Sequence, residues 1–160
     1  MTEPTLKAET VKEVLGDLGS VEQVRWNRVK VTTTVEKVRE GILRAQSLLT
    51  CDHLIQIAAV DNGKSFELLY HLTGPHRMVV VLALELPRDK PVAPTTSDLF
   101  PPAGIYERQI HDLLGITFRG HPDLRRIILN EDWPANEFPM RKDWKPDPTK
   151  FYGGVHSEGR

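Results

Sequence analysis

The chain has 160 residues, 39% of them apolar, and a formal charge of −1, enough for one hydrophobic core that buries roughly two-thirds of the unfolded surface. Near-neutral charge gives no global electrostatic reason to bind nucleic acid or an acidic membrane, although the RKDWK run at 141–145 is locally basic. Cys51 is the only cysteine, which excludes an intramolecular disulfide and any cysteine-ligated iron–sulfur cluster or four-cysteine zinc site held by this chain alone.

Met1 is followed by Thr2, Glu3 and Pro4, not by a basic stretch and an apolar run. No later apolar segment reaches the ~20 residues of a bilayer span, so a soluble, cytosolic chain is expected. Thr10 with Glu13 matches a capping box, and Val11, Val14, Leu15 and Leu18 follow at helical spacing until Gly19, predicting a helix over 10–18. Residues 24–32 are rich in β-branched side chains and predict one strand. Thr33 with Glu36 repeats the capping signal, and Val35, Val38, Ile42, Ala45 and Leu49 form an apolar stripe, predicting a helix over 34–49.

HLIQIAAV and SFELLYHL flank Asp61-Asn62-Gly63-Lys64, and the Asn-Gly pair signals a hairpin because both residues tolerate positive φ. HRMVVVLALEL adds a third strand. The expected fold is α+β, with helices on one face of a mostly antiparallel sheet, filling 1–86. The connector over 87–102 has prolines at 87, 91, 94, 101 and 102, which forbid a regular helix or a central strand. A helix restarts near Ala103, with Tyr106, Ile110, Leu113 and Leu114 on one stripe and Gly115 as its stop, and the segment it opens extends to 129. Residues 130–160 carry prolines at 134, 139, 146 and 148 and little periodicity. Trp133, Trp144 and Phe151 in that tail are expected to lack an internal burial site, which predicts an extended arm that wraps a partner.

The stretch ERQIHDLLGITFRGHPDLRRIIL, 107–129, holds four arginines, two histidines and three acids. On a helix Glu107 pairs by position with His111 and Arg108 with Asp112, predicting a charged face opposite Tyr106. A metal site would use Glu107, His111, Asp112 and His121, yet the zinc-hydrolase helix requires two histidines four apart and this one has a single histidine. No serine sits in a Gly-x-Ser-x-Gly elbow, His53 is the only histidine near Cys51 in sequence, and no glycine-rich phosphate loop is present. An interface fits better, because Arg108, Arg119, Arg125, Arg126 and Arg141 offer planar donors for a partner's carboxylates.

Glu107-Arg108, Asp112 to Ile116, Gly120 to Leu129, Glu131-Asp132-Trp133 and Phe138 to Asp143 together resemble the signature of the 30 kDa subunit family of respiratory complex I, which includes subunits of membrane-bound, energy-converting nickel–iron hydrogenases. Gln109, where the family has glutamate, and His111 and Leu114, where complex I members have aromatic residues, lean toward the hydrogenase-like branch. The resemblance implies a non-catalytic subunit without a cofactor of its own, on the cytoplasmic side of the membrane. It would brace a large catalytic subunit beside an iron–sulfur small subunit and meet the membrane arm only through the complex. Iron–sulfur clusters and a nickel–iron centre or quinone would belong to the partners. The implied interface comprises Glu107, Arg108, Asp112, His121, Arg125, Arg126, Trp133, Arg141, Asp143 and Trp144. The competing expectation is a free-standing metal-dependent enzyme using Glu107, His111 and His121.

Overall fold

The computed structural model describes residues 5–150 and Tyr152. Helix α1 (Ala8–Leu15) precedes a hairpin of β1 (Ser20–Arg25) and β2 (Arg28–Thr33), followed by helix α2 (Val38–Leu49). A meander of β3 (His53–Asp61), β4 (Ser65–Thr73) and β5 (Val79–Pro87) comes next, then β6 (Val92–Pro94), helix α3 (Ala103–Leu114) and β7 (Thr117–Arg119).

The meander forms as its alternation predicts. Every second residue of β4 is buried, so Phe66, Leu68, Tyr70 and Leu72 line one face. Both β3 and β5 pair antiparallel with β4. Gly63 at φ 85° makes the turn, with its N–H donated to Asp61 Oδ1 at 2.7 Å. The sheet order is β1-β2-β5-β4-β3, and β2 joins β5 in parallel, a pairing that the long crossover through α2, β3 and β4 permits. Val38, Ile42, Ala45 and Leu49 of α2 are buried in the same core cluster as Val11 and Leu15 of α1 and the β4 side chains. On the opposite sheet face Lys30 meets Glu67 at 2.5 Å. The architecture is α+β, a mostly antiparallel sheet with helices on one face.

Three local expectations are corrected. Residues 24–32 are not one strand: the chain turns back at Trp26-Asn27, so the segment is split between β1 and β2. Neither capping box forms. Helix α1 starts two residues before Thr10 without a side-chain cap and ends at Leu15, not Leu18. Helix α2 starts at Val38 after a turn closed by Val38 N–H to Thr34 O at 3.0 Å. Thr33, expected to cap it, ends β2 and donates its hydroxyl to Leu18 O at 3.0 Å instead. Long-range demand for that carbonyl outcompetes the local cap.

The proline connector is extended only in its first half, where β6 pairs in parallel with β7 as a separate two-stranded sheet; its second half closes into turns, with the Leu99 and Phe100 N–H groups both donated to Thr96 O at 3.0 Å. This pairing returns the chain after α3 to the connector, and so sets the geometry of the residues around 119–129.

Candidate partner-binding interface

Helix α3 packs Ala103, Ile110 and Leu114 into the core and ends where Gly115 adopts φ 76°. Tyr106 donates its hydroxyl to Ile55 O at 3.0 Å, fastening the helix to the β3 edge. The charged face expected opposite Tyr106 is corrected, since Glu107 is 0% and Asp112 4% exposed and neither of the expected pairs forms. Segments distant in sequence cover them.

Glu107 anchors the connector. Its Oε1 accepts the Thr96 N–H at 2.7 Å and hydroxyl at 2.8 Å, and Oε2 accepts the Thr95 hydroxyl at 2.5 Å. Asp112 anchors the chain on the other side, where Oδ2 accepts three successive backbone N–H groups, from Ile127, Ile128 and Leu129, at 3.1, 2.9 and 2.8 Å. Arg108 does not pair with Asp112. Its Nε donates to Arg125 O at 3.0 Å and its Nη2 to Arg126 O at 2.9 Å. His121 accepts the Asp123 N–H at Nδ1, which leaves Nε2–H to donate to Gly104 O at 3.0 Å. Residues 121–129 thus form a strap running along α3 in the same direction, held at Gly104, Arg108 and Asp112. Leaving the buried Asp112 carboxylate or the half-buried donors it accepts unmatched would cost ~1–3 kcal/mol each, so the strap's path is strongly specified.

The tail beyond 130 is also held by this chain, whereas the sequence predicts an arm whose aromatics lack an internal burial site. Met140 N–H donates to Leu113 O at 3.1 Å and Arg141 Nε to Leu114 O at 2.7 Å, which satisfies carbonyls at the end of α3 with a cation. The Arg141 guanidinium lies 4.5 Å from the Phe138 ring centroid and 5.3 Å from that of Phe66. Burial pulls the Arg141 pKa down, with Arg88 adding to the effect. Asp61 then clasps the tail to the hairpin turn, accepting Lys142 N–H at 2.8 Å, while Arg88 bridges Asp61 and Asp143. Burial pushes the Asp61 carboxyl up, but the Lys142 and Gly63 N–H groups and Arg88 together outweigh it and hold it at about 2.

Trp133, Trp144 and Tyr152 are half-buried against one another, with ring centroids 4.9–5.9 Å apart. Glu137 is their hub. Its Oε2 accepts Trp144 Nε1–H at 3.1 Å and the Tyr152 hydroxyl at 2.7 Å, its backbone carbonyl accepts Trp133 Nε1–H at 3.0 Å, and Lys150 pairs with Oε1. The tail therefore buries its tryptophans in part within itself. Phe151 lies outside the described residues.

The expected metal ligands do not converge. Glu107 is saturated by three donors, and His111 Nδ1 lies 2.9 Å from Ile116 O, not against Glu107. His121 Nε2 is 4.0 Å from Glu107 Oε2 and already engaged by Gly104. Among the described residues no group of three or more His, Cys, Asp or Glu is placed to hold a metal. The histidine beside Cys51 is His76, at 3.5 Å, not His53. His76 Nδ1 accepts the Met78 N–H, so its protonated Nε2 faces a sulfur whose thiol burial pushes up to about 12. That geometry packs a thiol and does not activate one.

Arg125, expected at the interface, forms an exposed pair with Asp123, whose carboxyl this guanidinium holds at about 2. Arg126 donates to Asn130 O at 3.2 Å. Asp61, read as part of the hairpin turn, and Phe138, read as part of the signature motif, also belong to the braced unit, as do Thr95, Thr96, Arg88 and Glu137, which carry no local sequence signal beyond proline-flanked threonines.

Fold and site together define an α+β module in which a helix, a strap and a clasped tail form one braced unit. The family described as respiratory-chain NADH dehydrogenase, 30 Kd subunit, matches residues 24–150, and the chain belongs to it. It is 41% identical over 107 residues to the C subunit of NADH-quinone oxidoreductase from Herpetosiphon aurantiacus, covering 64% of this chain and 61% of that protein. It is 34% identical over 118 residues to the C/D subunit of NADH-quinone oxidoreductase from Phocaeicola vulgatus, covering 72% of this chain and 22% of that protein. The chain thus spans about three-fifths of the first relative and about a fifth of the second. Its fold matches a chain of the membrane-bound sulfane sulfur reductase, an archaeal respiratory membrane complex, with TM-score 0.74, 27% identity and coverage of 86% and 84%. No helix among the described residues is long and apolar enough to cross a membrane.

Proposed function

We propose that this chain is a non-catalytic structural subunit of the peripheral arm of a membrane-bound, ion-translocating oxidoreductase. It braces the large catalytic subunit beside the iron–sulfur small subunit on the cytoplasmic side, and meets the membrane arm only through the complex. The observation that carries this reading is the family match across 24–150, which takes in the strap and the tail clasp. The Phocaeicola relative bears the joint designation C/D, which supports a partner close enough to share one chain.

Within this reading the motif charges divide into two groups. Glu107, Asp112 and His121 are buried positioning residues that shape the surface, as does Arg108. Arg125, Arg126, Trp133, Arg141, Asp143 and Trp144 remain available, wholly or in part, to a partner. Iron–sulfur clusters and a quinone or nickel–iron centre belong to the partner subunits, and nucleic acid has no role. Gln109, His111 and Leu114 favour a hydrogenase-like complex, whereas the two relatives named above favour quinone reduction. The presence or absence of nickel-ligating cysteine pairs in the accompanying large subunit decides between them.

Co-expression with the large and small subunits tests the proposal. The tagged full-length chain should recover both in stoichiometric amounts through size-exclusion chromatography. Recovery of the chain alone would overturn the reading.

A further inference from the structure

The sheet face without helices gathers cations at one end. Arg25 and Arg28 are direct partners across the β1–β2 hairpin, so two like charges stand side by side, an arrangement that destabilises a strand pair unless something offsets it. Arg28 is the register partner of Val79 on β5, and His71 of β4 is the partner of Val81, two residues further along β5. Val81 is only 4% exposed although it lies outside the core that the helices cover, so the side chains flanking it lie over it. Arg28 Nε and His71 Nδ1 are both buried, and among the described residues neither has a hydrogen-bond partner.

No acid answers these cations. Among the described residues no carboxylate lies within salt-bridge distance of Arg25, Arg28 or His71. Of the acids on the same face, Glu67 is taken by Lys30, Glu22 stands across from Lys30, and Glu85 stands across from Glu67, toward the other end of the sheet. His53, on the β3 edge across from Thr73, adds no negative charge. Burial holds the His71 pKa below its ordinary value and the Arg28 charge lowers it further, against a main-chain contact at Leu69 that raises it. An anion lodged among the three groups would give the buried donors an acceptor and relieve the repulsion between the arginines.

We infer that Arg25, Arg28 and His71 form a binding site for a phosphoryl group, free or carried on a small molecule. Two guanidinium groups match the charge of about −2 on a phosphoryl group, and their planar N–H donors suit its oxygens, whereas a single carboxylate would leave one arginine unbalanced. His71 supplies a further donor when protonated. The anion favours the charged imidazole, so binding raises the His71 pKa and takes up a proton. The site lies on β1, β2 and β4, away from the 107–129 stretch and the tail, and stands independently of the proposed role in a complex.

A histidine NMR titration of the full chain tests the site. Sulfate, a tetrahedral dianion throughout the titration, is the first probe, compared with sodium chloride at equal ionic strength. It should raise the His71 midpoint by about 0.5 pH unit or more. Arg28→Gln should raise the midpoint in chloride, because the repelling charge is gone, and should abolish the response to sulfate. Arg25→Gln should weaken that response, while Lys12→Gln, the same charge change at an exposed position on α1, should leave it intact. At neutral pH inorganic phosphate and glycerol 3-phosphate should each shift the His71 signals, and the tighter of the two tells whether the group comes free or esterified. The sulfate response of the unaltered chain needs no substitution, so a poorly folded variant does not blunt the test. A His71 midpoint equal in sulfate and chloride overturns the site, as does a sulfate response of the same size in Arg28→Gln and the parent chain, or no shift with either phosphate.

Discussion

The carboxylate of Asp61 accepts the backbone N–H of Lys142 at 2.8 Å across 81 residues of sequence. This one contact joins the first hairpin turn of the meander to the tail, and its Oδ1 simultaneously takes Gly63 N–H and Arg88.

The Asp61 contact gives the clasp a pH dependence with a definite sign. The folded carboxyl titrates at about 2, below its unfolded value near 3.9. A depressed carboxyl contributes stability that is fully present above the unfolded value and is lost as pH falls through the folded one. Protection of the Lys142 amide from hydrogen exchange should therefore hold above about pH 5 and decline between about pH 4 and pH 2. Asp61→Asn should remove that decline and lower protection at neutral pH, and an unchanged profile would exclude Asp61 as the source.

Much of the meander was legible because its information is local. The β4 alternation and the Asn62-Gly63 turn act over a few residues, and no distant segment competes with them. The turn at Trp26-Asn27 is not legible, because it lacks glycine and the β-branched run reads through it. The burial of Glu107 and Asp112 was not legible at all. Helical spacing places both beside charged neighbours, and only the return of residues 95–96 and 127–129 turns those carboxylates inward. The signature motif itself was recognisable, but recognition does not distinguish a side chain that touches a partner from one that holds the chain in shape.

Asp112 offers a direct measure of the strap's fixation. Asp112→Ala strands three N–H groups in a half-buried setting and should destabilise the chain by about 2–4 kcal/mol. Asp112→Asn keeps one acceptor oxygen and should cost about half as much. Urea unfolding should show a lower midpoint at unchanged slope, and amide exchange should rise first at residues 127–129.

Gly115 reports on the junction of helix and tail. At φ 76° an added Cβ would stand 2.6 Å from the Phe138 ring and 2.7 Å from Arg141 Nη2. Gly115→Ala combines backbone strain with displacement of the Arg141 cap and should cost about 1–3 kcal/mol. Gly63→Ala, with nothing within 4 Å of its Cβ, carries the strain alone and should cost less. Thermal melts of the two variants side by side separate strain from displacement.

Truncation after Leu129 asks whether the tail belongs to the domain or only to a partner. Removing residues 130–160 takes away the guanidinium over Phe66, the donors to Leu113 O and Leu114 O, and the Lys142 and Asp143 side of the clasp. These are internal contacts, so the isolated domain should lose roughly 2–4 kcal/mol, read as a drop of about 5–15 °C in melting temperature. Truncation after Asp143 keeps the clasp and should melt within a few degrees of the full chain. It removes Trp144 and Tyr152, however, and so should still weaken recovery of the large subunit. For comparison, Trp133→Ala in the full chain should cost assembly about 1–4 kcal/mol if that ring is a central anchor. A melting temperature unchanged by truncation after Leu129 would mean that the tail contributes nothing to the isolated domain, and that its ordering depends on the partner alone.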